Sequence, residues 1–169
     1  MDKTIVTTFL IIISMITAVL LFNAVYPAVI DSSDAMISMA GRADQRLKSQ
    51  VEIIHATGEL DSDGWWQDSN SDGDFDMLIW VKNVGSTRIV PIEGSDVFFG
   101  PEGDFVRIPH QSESTGYPYW TAVIENAADW SPTATAKIII HFGAALAPGR
   151  YFVKVIIPNG VSDEYTFSL

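Results

Sequence analysis

Residues 4–30 read TIVTTFLIIISMITAVLLFNAVYPAVI, twenty-seven positions without a charged side chain in a chain of 169 residues. At about 1.5 Å per helical residue, this segment spans roughly 40 Å, which exceeds the roughly 30 Å hydrocarbon core of a bilayer. A cleaved signal peptide normally has a basic leader and a shorter apolar run. The segment therefore predicts a helix of transmembrane length.

The helical pattern continues beyond Ile30. Apolar residues at spacings of three and four predict a stripe along one side of a helix, and they are Met36, Met39, Ala40, Ala43, Leu47 and Val51. Pro27 predicts a bend, because proline inside a helix removes a hydrogen bond. We therefore predict one helix over residues 2–50. A lone anchor does not need this second half of the helix, whereas a helix that packs lengthwise against copies of itself does.

After residue 50 the pattern changes to short runs rich in β-branched and aromatic residues, separated by Gly, Pro, Asn and Asp. Such runs favour antiparallel strands with one buried face. The predicted strands are residues 51–56, 75–83, 88–91, 96–99, 105–108, 120–124, 135–142, 151–157 and 164–168. The predicted fold class is α+β, with a long N-terminal hydrophobic α-helix (residues 1–50) followed by an antiparallel immunoglobulin-like β-sandwich (residues 51–169), called the head below.

Charge and cysteine content narrow the functional classes. The net charge is −11, and the head carries all of it, with 17 acids against six bases. An acidic surface of this kind repels nucleic acid, so nucleic acid is excluded as a partner. The chain has no cysteine, which excludes thiol catalysis and cysteine-based metal sites. No nucleophile elbow, P-loop or dinucleotide-binding motif occurs, so we predict that the protein is not an enzyme.

The clearest candidate binding site is the stretch DSNSDGDFD at residues 68–76. Oxygen-bearing side chains at alternate positions, with Gly73 at the sixth, are how a loop wraps around a hard cation such as calcium. Ile79 at the twelfth position lacks the usual carboxylate, and the same residue types also form ordinary exposed turns. The predicted calcium ligands are Asp68, Asn70, Asp72, Asp74 and Asp76, and the sequence requires no other cofactor.

Aromatic residues and histidines give further expectations. Trp65 and Trp66 are adjacent, so a strand would place one inside and one outside, where it could meet a partner. Trp80 lies in an apolar strand and is predicted to fill the core. His141 also lies in an apolar strand, which favours a structural role.

A long hydrophobic helix with Pro27 near the membrane exit, then a polar-flanked extension and a sandwich, resembles a type IV pilin-like subunit. More specifically, it resembles an archaellin, the structural subunit of the archaellum. Bacterial type IV pilins carry Glu at the fifth mature position, whereas this chain has Ile5 and no acid between Lys3 and Asp31. Residues 75–86, FDMLIWVKNVGS, are similar to the VKN-G segment frequent in archaellins and their accessory proteins.

The resemblance implies a homo-oligomeric, extracellular helical filament that is used for swimming motility. N-terminal helices would form its core, and the heads would lie on its surface. Before assembly the chain would be inserted in the cytoplasmic membrane, and its partners would be the assembly ATPase and membrane platform of the filament machine. The residues expected at the assembly interface are Ile5, Phe9, Ile12, Ile16, Leu20, Val25, Met36, Met39 and Leu47.

Two alternatives stay open at this point. One is a minor or accessory membrane-anchored protein of the same machine, which uses its sandwich to bind the envelope or the motor. The other is a pilus or adhesin subunit for surface attachment, with calcium or sugar bound near residues 65–76. The first alternative differs from a filament subunit in stoichiometry, which a sequence does not record.

Overall fold

The computed structural model describes residues 2–64 and 66–169. A long helix and eight strands follow one another, with a short 3₁₀ helix at Ile92–Gly94. The bounds are α1 (Asp2–Lys48), β1 (Val51–Gly58), β2 (Phe75–Asn83), β3 (Asp96–Pro101), β4 (Val106–Ile108), β5 (Tyr119–Glu125), β6 (Thr135–Phe142), β7 (Arg150–Ile156) and β8 (Ser162–Ser168). This architecture confirms the predicted α+β class with a β-sandwich.

The chain divides into two compact units, one that ends at Ala43 and one that runs from Asp44 to Leu169. In the first, α1 continues through Pro27, and the bend expected there stays a prediction. None of the helix residues is buried. Hydroxyl groups along α1 donate to the carbonyl four residues earlier, as Thr8 Oγ1 does to Thr4 O at 2.9 Å and Thr17 Oγ1 to Ile13 O at 2.8 Å. These bonds satisfy the hydroxyls of an otherwise apolar helix.

The head consists of two antiparallel four-stranded sheets. The first sheet has the order β1-β2-β6-β5, and the second sheet has the order β4-β3-β7-β8. Alternate residues of each strand point inward, as Met77, Ile79 and Val81 do in β2, where all three are fully buried. Side chains from both sheets join one hydrophobic core. The outer faces of the sheets therefore carry the side chains that remain free for other roles.

The prediction that Trp80 fills the core is wrong. Ile79 and Val81 on either side of it are fully buried, so the two-residue period of a strand turns Trp80 to the outer face. The tryptophans that fill the core are Trp120, with no exposed surface, and Trp130, which is 1% exposed.

The predicted strand at residues 88–91 is also wrong. This segment pairs with no strand of either sheet in the described part of the chain. Ile89 is buried, and its N–H donates to the backbone carbonyl of Trp130 at 3.1 Å. Pro91 has no N–H to contribute to a strand ladder. Residues 88–91 are thus a connection that covers the core and leads to the 3₁₀ helix.

The VKN-G segment has a structural role in the head. Asn83 is fully buried, and its Nδ2 donates to two backbone carbonyls at 2.9 and 3.0 Å, while its Oδ1 accepts from Gly85 N at 3.0 Å. A Cβ on Gly85 would lie 2.5 Å from Gln50 N and 2.6 Å from Lys48 O. Both of these are backbone atoms and cannot rotate away. Glycine at this position therefore lets the turn after β2 pack against the end of α1.

We expect Gly85→Ala to lower the free energy of unfolding by roughly 1–3 kcal/mol, because the added methyl group forces the backbone apart. Gly116→Ala is the matched control, since a Cβ there meets nothing within 4 Å. Urea unfolding of the full chain in detergent micelles, followed by tryptophan fluorescence, measures the difference. Equal unfolding midpoints for the two variants would contradict the packing described here.

Candidate functional site

The first candidate is the surface of α1. All nine residues predicted at the assembly interface are exposed, from 48% for Ile12 to 86% for Leu47. Among the described residues, α1 is a helix long and apolar enough to cross a membrane, judged by length and composition. A continuous apolar surface of this extent is unfavourable in water. The helix therefore needs cover from lipid or from protein, and the assembly interface itself stays a prediction.

The second candidate is the loop that was predicted to bind calcium. Its side chains mostly accept hydrogen bonds from the backbone of the loop. Asp68 accepts from the N–H groups of Asp72 at 3.1 Å and Gly73 at 3.0 Å. Asn70 Oδ1 accepts from Asp72 N at 2.9 Å, and Asp72 Oδ1 accepts from Asp74 N at 2.9 Å. The bonds of Asn70 and Asp72 reach two residues ahead and are those of ordinary Asx turns, whereas those of Asp68 reach four and five residues ahead. Calcium binding by the predicted ligands stays a prediction.

Asp74 and Asp76 instead lie beside His141, and we call these three residues the acidic pocket. The strand register places Asp76 of β2 directly opposite His141 of β6, on the outer face of the first sheet. His141 Nδ1 is 2.8 Å from Asp76 Oδ1 and 3.3 Å from Asp74 Oδ2. The three side chains are 9–15% exposed. Each offers one ligand atom, and these atoms lie within 4.8 Å of one another.

Two tyrosines form a wall of the acidic pocket. The Tyr119 ring stacks on His141 with 4.7 Å between centroids, and the Tyr117 ring stacks on Tyr119 at 5.6 Å. The Tyr117 hydroxyl donates to Asp74 Oδ1, and the Tyr119 hydroxyl lies 3.4 Å from Asp74 Oδ2. The hydrogen bond to Asp74 raises the pKa of Tyr117 to about 12. Both phenols therefore act as neutral donors that hold Asp74 in place.

Negative charge exceeds positive charge around the acidic pocket. Burial raises the pKa of Asp76 above its ordinary value, the proximity of His141 lowers it, and repulsion from Asp72 and Glu59 raises it again. Glu59 Oε1 accepts from Asn70 N at 3.1 Å, while its buried Oε2 has no hydrogen-bond partner among the described residues. One imidazole thus faces several carboxylates. An excess of negative charge of this kind favours cations over anions.

Trp66 is the member of the tryptophan pair that the structure describes, and its ring is not exposed. Trp66 packs against the core, with its ring edge-on to Phe75 and Phe142 at 6.3 and 6.2 Å. Its Nε1 donates to Asp76 O at 3.1 Å, which supports the strand beside the acidic pocket. Trp65 lies outside the described residues. Trp66 therefore has a structural role.

Sequence analysis missed an aromatic patch on the outer face of the second sheet. It consists of Phe98, Phe105 and Phe152. The ring centroid of Phe105 lies 6.4 Å from that of Phe98 and 4.7 Å from that of Phe152. Phe105 is 44% exposed. The patch was hidden because Phe98 stands next to the buried Phe99 in one apolar run. Exposed aromatic groups are enriched at protein–protein interfaces, so this patch is a candidate docking surface.

Comparisons with known proteins place these features in context. No protein-family model matches the sequence. The chain is 25% identical, over 178 aligned positions, to an uncharacterized protein of Archaeoglobus fulgidus, with 99% of each chain covered. Its structure is similar to that of the archaellum periplasmic stator protein FlaG from Sulfolobus acidocaldarius, at 28% identity and a TM-score of 0.54. That match covers 70% of this chain and 99% of the FlaG chain.

A second solved structure gives the same result. The archaellum periplasmic stator protein complex of FlaF and FlaG, also from Sulfolobus acidocaldarius, matches at 28% identity and a TM-score of 0.53. The match covers 70% of this chain and 88% of that chain. Neither comparison supports a filament subunit in particular, and the accessory alternative fits both structures better. The chain is therefore an archaellum-related protein.

Proposed function

We propose that this chain is an accessory, stator-like protein of the archaellum machinery, held in the cytoplasmic membrane by α1 and bound to another protein of the machine through its head. The observation that carries this proposal is the similarity to FlaG, a periplasmic stator protein. A stator works by staying fixed while another part moves, and a membrane-spanning helix supplies a fixed attachment. The proposal assigns no chemical reaction to the chain.

The surface of α1 supports membrane attachment. Each Leu, Ile or Phe side chain removed from water contributes roughly 1.5–3 kcal/mol, and residues 4–30 contain about a dozen of them. Lipid covers a segment of that length without any partner chain. The head, which carries the net charge of −11, is strongly disfavoured inside a bilayer. The apolar segment therefore favours the membrane, and the head favours water.

The apolar stripe beyond the span supports a protein contact. Met36 and Met39 are 69% and 65% exposed and lie past residue 30, where the uncharged segment ends. Lipid tails do not cover them, so a neighbouring helix does so in the proposed assembly. Copies of this chain would serve equally well. For that reason a filament subunit, with its extracellular location, stays the second candidate.

The aromatic patch supports a contact of the head. FlaG occurs in a solved complex with FlaF, so a protein of similar structure forms a complex with another archaellum protein. In this chain, Phe105 offers a large exposed apolar surface on an otherwise acidic head. Large aromatic side chains contribute much of the binding energy of protein interfaces. We assign the proposed partner contact to this patch.

Shearing of cells that carry archaella separates the two candidates. The accessory role predicts that the chain stays in the membrane fraction while the sheared filaments contain a different repeating subunit. The main archaellin of the same preparation is the internal control, because it must move to the sheared fraction. Recovery of this chain as the repeating mass of the filaments would overturn the proposal and favour the second candidate.

We expect Phe105→Glu to weaken the head–partner contact by at least tenfold, because it places a charge in the apolar patch. Val123→Glu is the control, since Val123 is 53% exposed on β5 of the other sheet and receives the same charge. Quantitative mass spectrometry of archaellum proteins that co-purify with each full-length variant from solubilised membranes measures the loss. Equal co-purification with both variants would remove the patch from the proposal.

A further inference from the structure

We propose that the acidic pocket, Asp74, Asp76 and His141, binds a divalent transition-metal ion, with Zn²⁺ as the expected occupant. The site shares Asp74 and Asp76 with the predicted calcium loop, but it adds His141 and does not use Asp68, Asn70 or Asp72. Two of its residues lie opposite each other in the strands β2 and β6, and the third is Asp74, just before β2. The side chains of Asp68, Asn70 and Asp72 are engaged in the turns of the loop and are not needed.

Buried polar atoms that lack a hydrogen bond point to a ligand. Asp76 is 6% exposed, and its Oδ1 is buried without a hydrogen bond from the described residues. The Nδ1 atom of His141 is buried and lacks a hydrogen bond in the same way, and its nearest polar neighbours are the two carboxylates. The two atoms are 2.8 Å apart, yet they are not aligned as a hydrogen bond. Buried polar atoms without partners are costly, and a shared cation would satisfy both of them.

The other nitrogen of His141 defines which atom faces the carboxylates. Nε2 lies 3.0 Å from Thr121 Oγ1 of the neighbouring strand β5. When Nε2–H donates to this hydroxyl, Nδ1 presents its lone pair to Asp76 Oδ1 and Asp74 Oδ2. Lone pairs that face one another repel, and a metal ion between them reverses the sign of the interaction. Metal-binding histidines are commonly oriented by such a hydrogen bond from the second nitrogen.

The ligand types favour zinc over calcium. Calcium and magnesium take oxygen ligands, whereas an imidazole nitrogen together with carboxylates suits zinc and its neighbours in the transition series. Zinc bonds of about 2.0–2.2 Å at tetrahedral angles put neighbouring ligand atoms roughly 3.3 Å apart. Asp74 Oδ2 and His141 Nδ1 have that separation, 3.3 Å. The Asp76 carboxylate must retreat slightly from His141, and a fourth position stays open for water or a partner's side chain.

The test is metal binding by the full chain in detergent micelles. The protein is stripped with EDTA and dialysed against buffered Zn²⁺ or Ca²⁺, and bound metal is measured by inductively coupled plasma mass spectrometry. We expect one zinc per chain and a weaker response to calcium. His141→Asn and Asp76→Asn should each lower zinc affinity at least tenfold. Thr121→Val, which removes the orienting contact, should lower it by roughly 10–100-fold.

His55→Asn is the matched control, because His55 is an exposed histidine on β1 of the same sheet, where it stacks on Trp80. Its zinc affinity should equal that of the wild type. Far-UV circular dichroism identifies the variants that fold. If His141→Asn does not fold, Asp76→Asn still tests the site. Zinc binding that survives in the folded variants, or no stoichiometric zinc in the wild type, would overturn the site. Calcium binding that is lost in Asp68→Asn would favour the loop instead. None of these outcomes depends on the stator-like role.

Discussion

An apolar helix that buries none of its residues within its own chain is the constraint on which the remaining features depend. Its 47 residues expose Leu, Ile, Phe and Val side chains on every side of the N-terminal part. Water excludes such a surface, and only lipid or other helices can cover it. The acidic head has the opposite preference because it must stay solvated. Together these two demands are the basis of the proposed membrane attachment.

The head meets a different constraint, since its two sheets must supply a complete core without disulfides. The inner faces of both sheets are used entirely for this purpose, with Trp120, Ile138 and Val153 among the fully buried side chains. The outer faces are then free to differ. The first sheet carries the acidic pocket, and the second sheet carries the aromatic patch. One face thus offers a concentrated charge and the other an apolar contact, and the core does not depend on either.

Patterns that act locally could be predicted from the sequence, and features that depend on register could not. The helix ends at Lys48, within two residues of its prediction, because its apolar spacing is continuous and long. Trp80 was misassigned and Phe98 was missed because each lies within an apolar run, where alternation gave no signal for direction. His141 meets Asp76 through the pairing of β2 with β6, which are separated by more than fifty residues. A single sequence does not reveal that partner.

Membrane anchoring is tested most directly by identifying the molecules that contact the middle of the apolar segment of α1. A benzophenone side chain in place of Leu20, which is 63% exposed, can be photoactivated in the membranes of cells that carry the archaellum machinery. Membrane anchoring predicts covalent adducts with lipid and no ladder of cross-linked copies. A ladder of covalent multimers of this chain, without lipid adducts, would show that α1 is covered by its own copies and would contradict membrane anchoring.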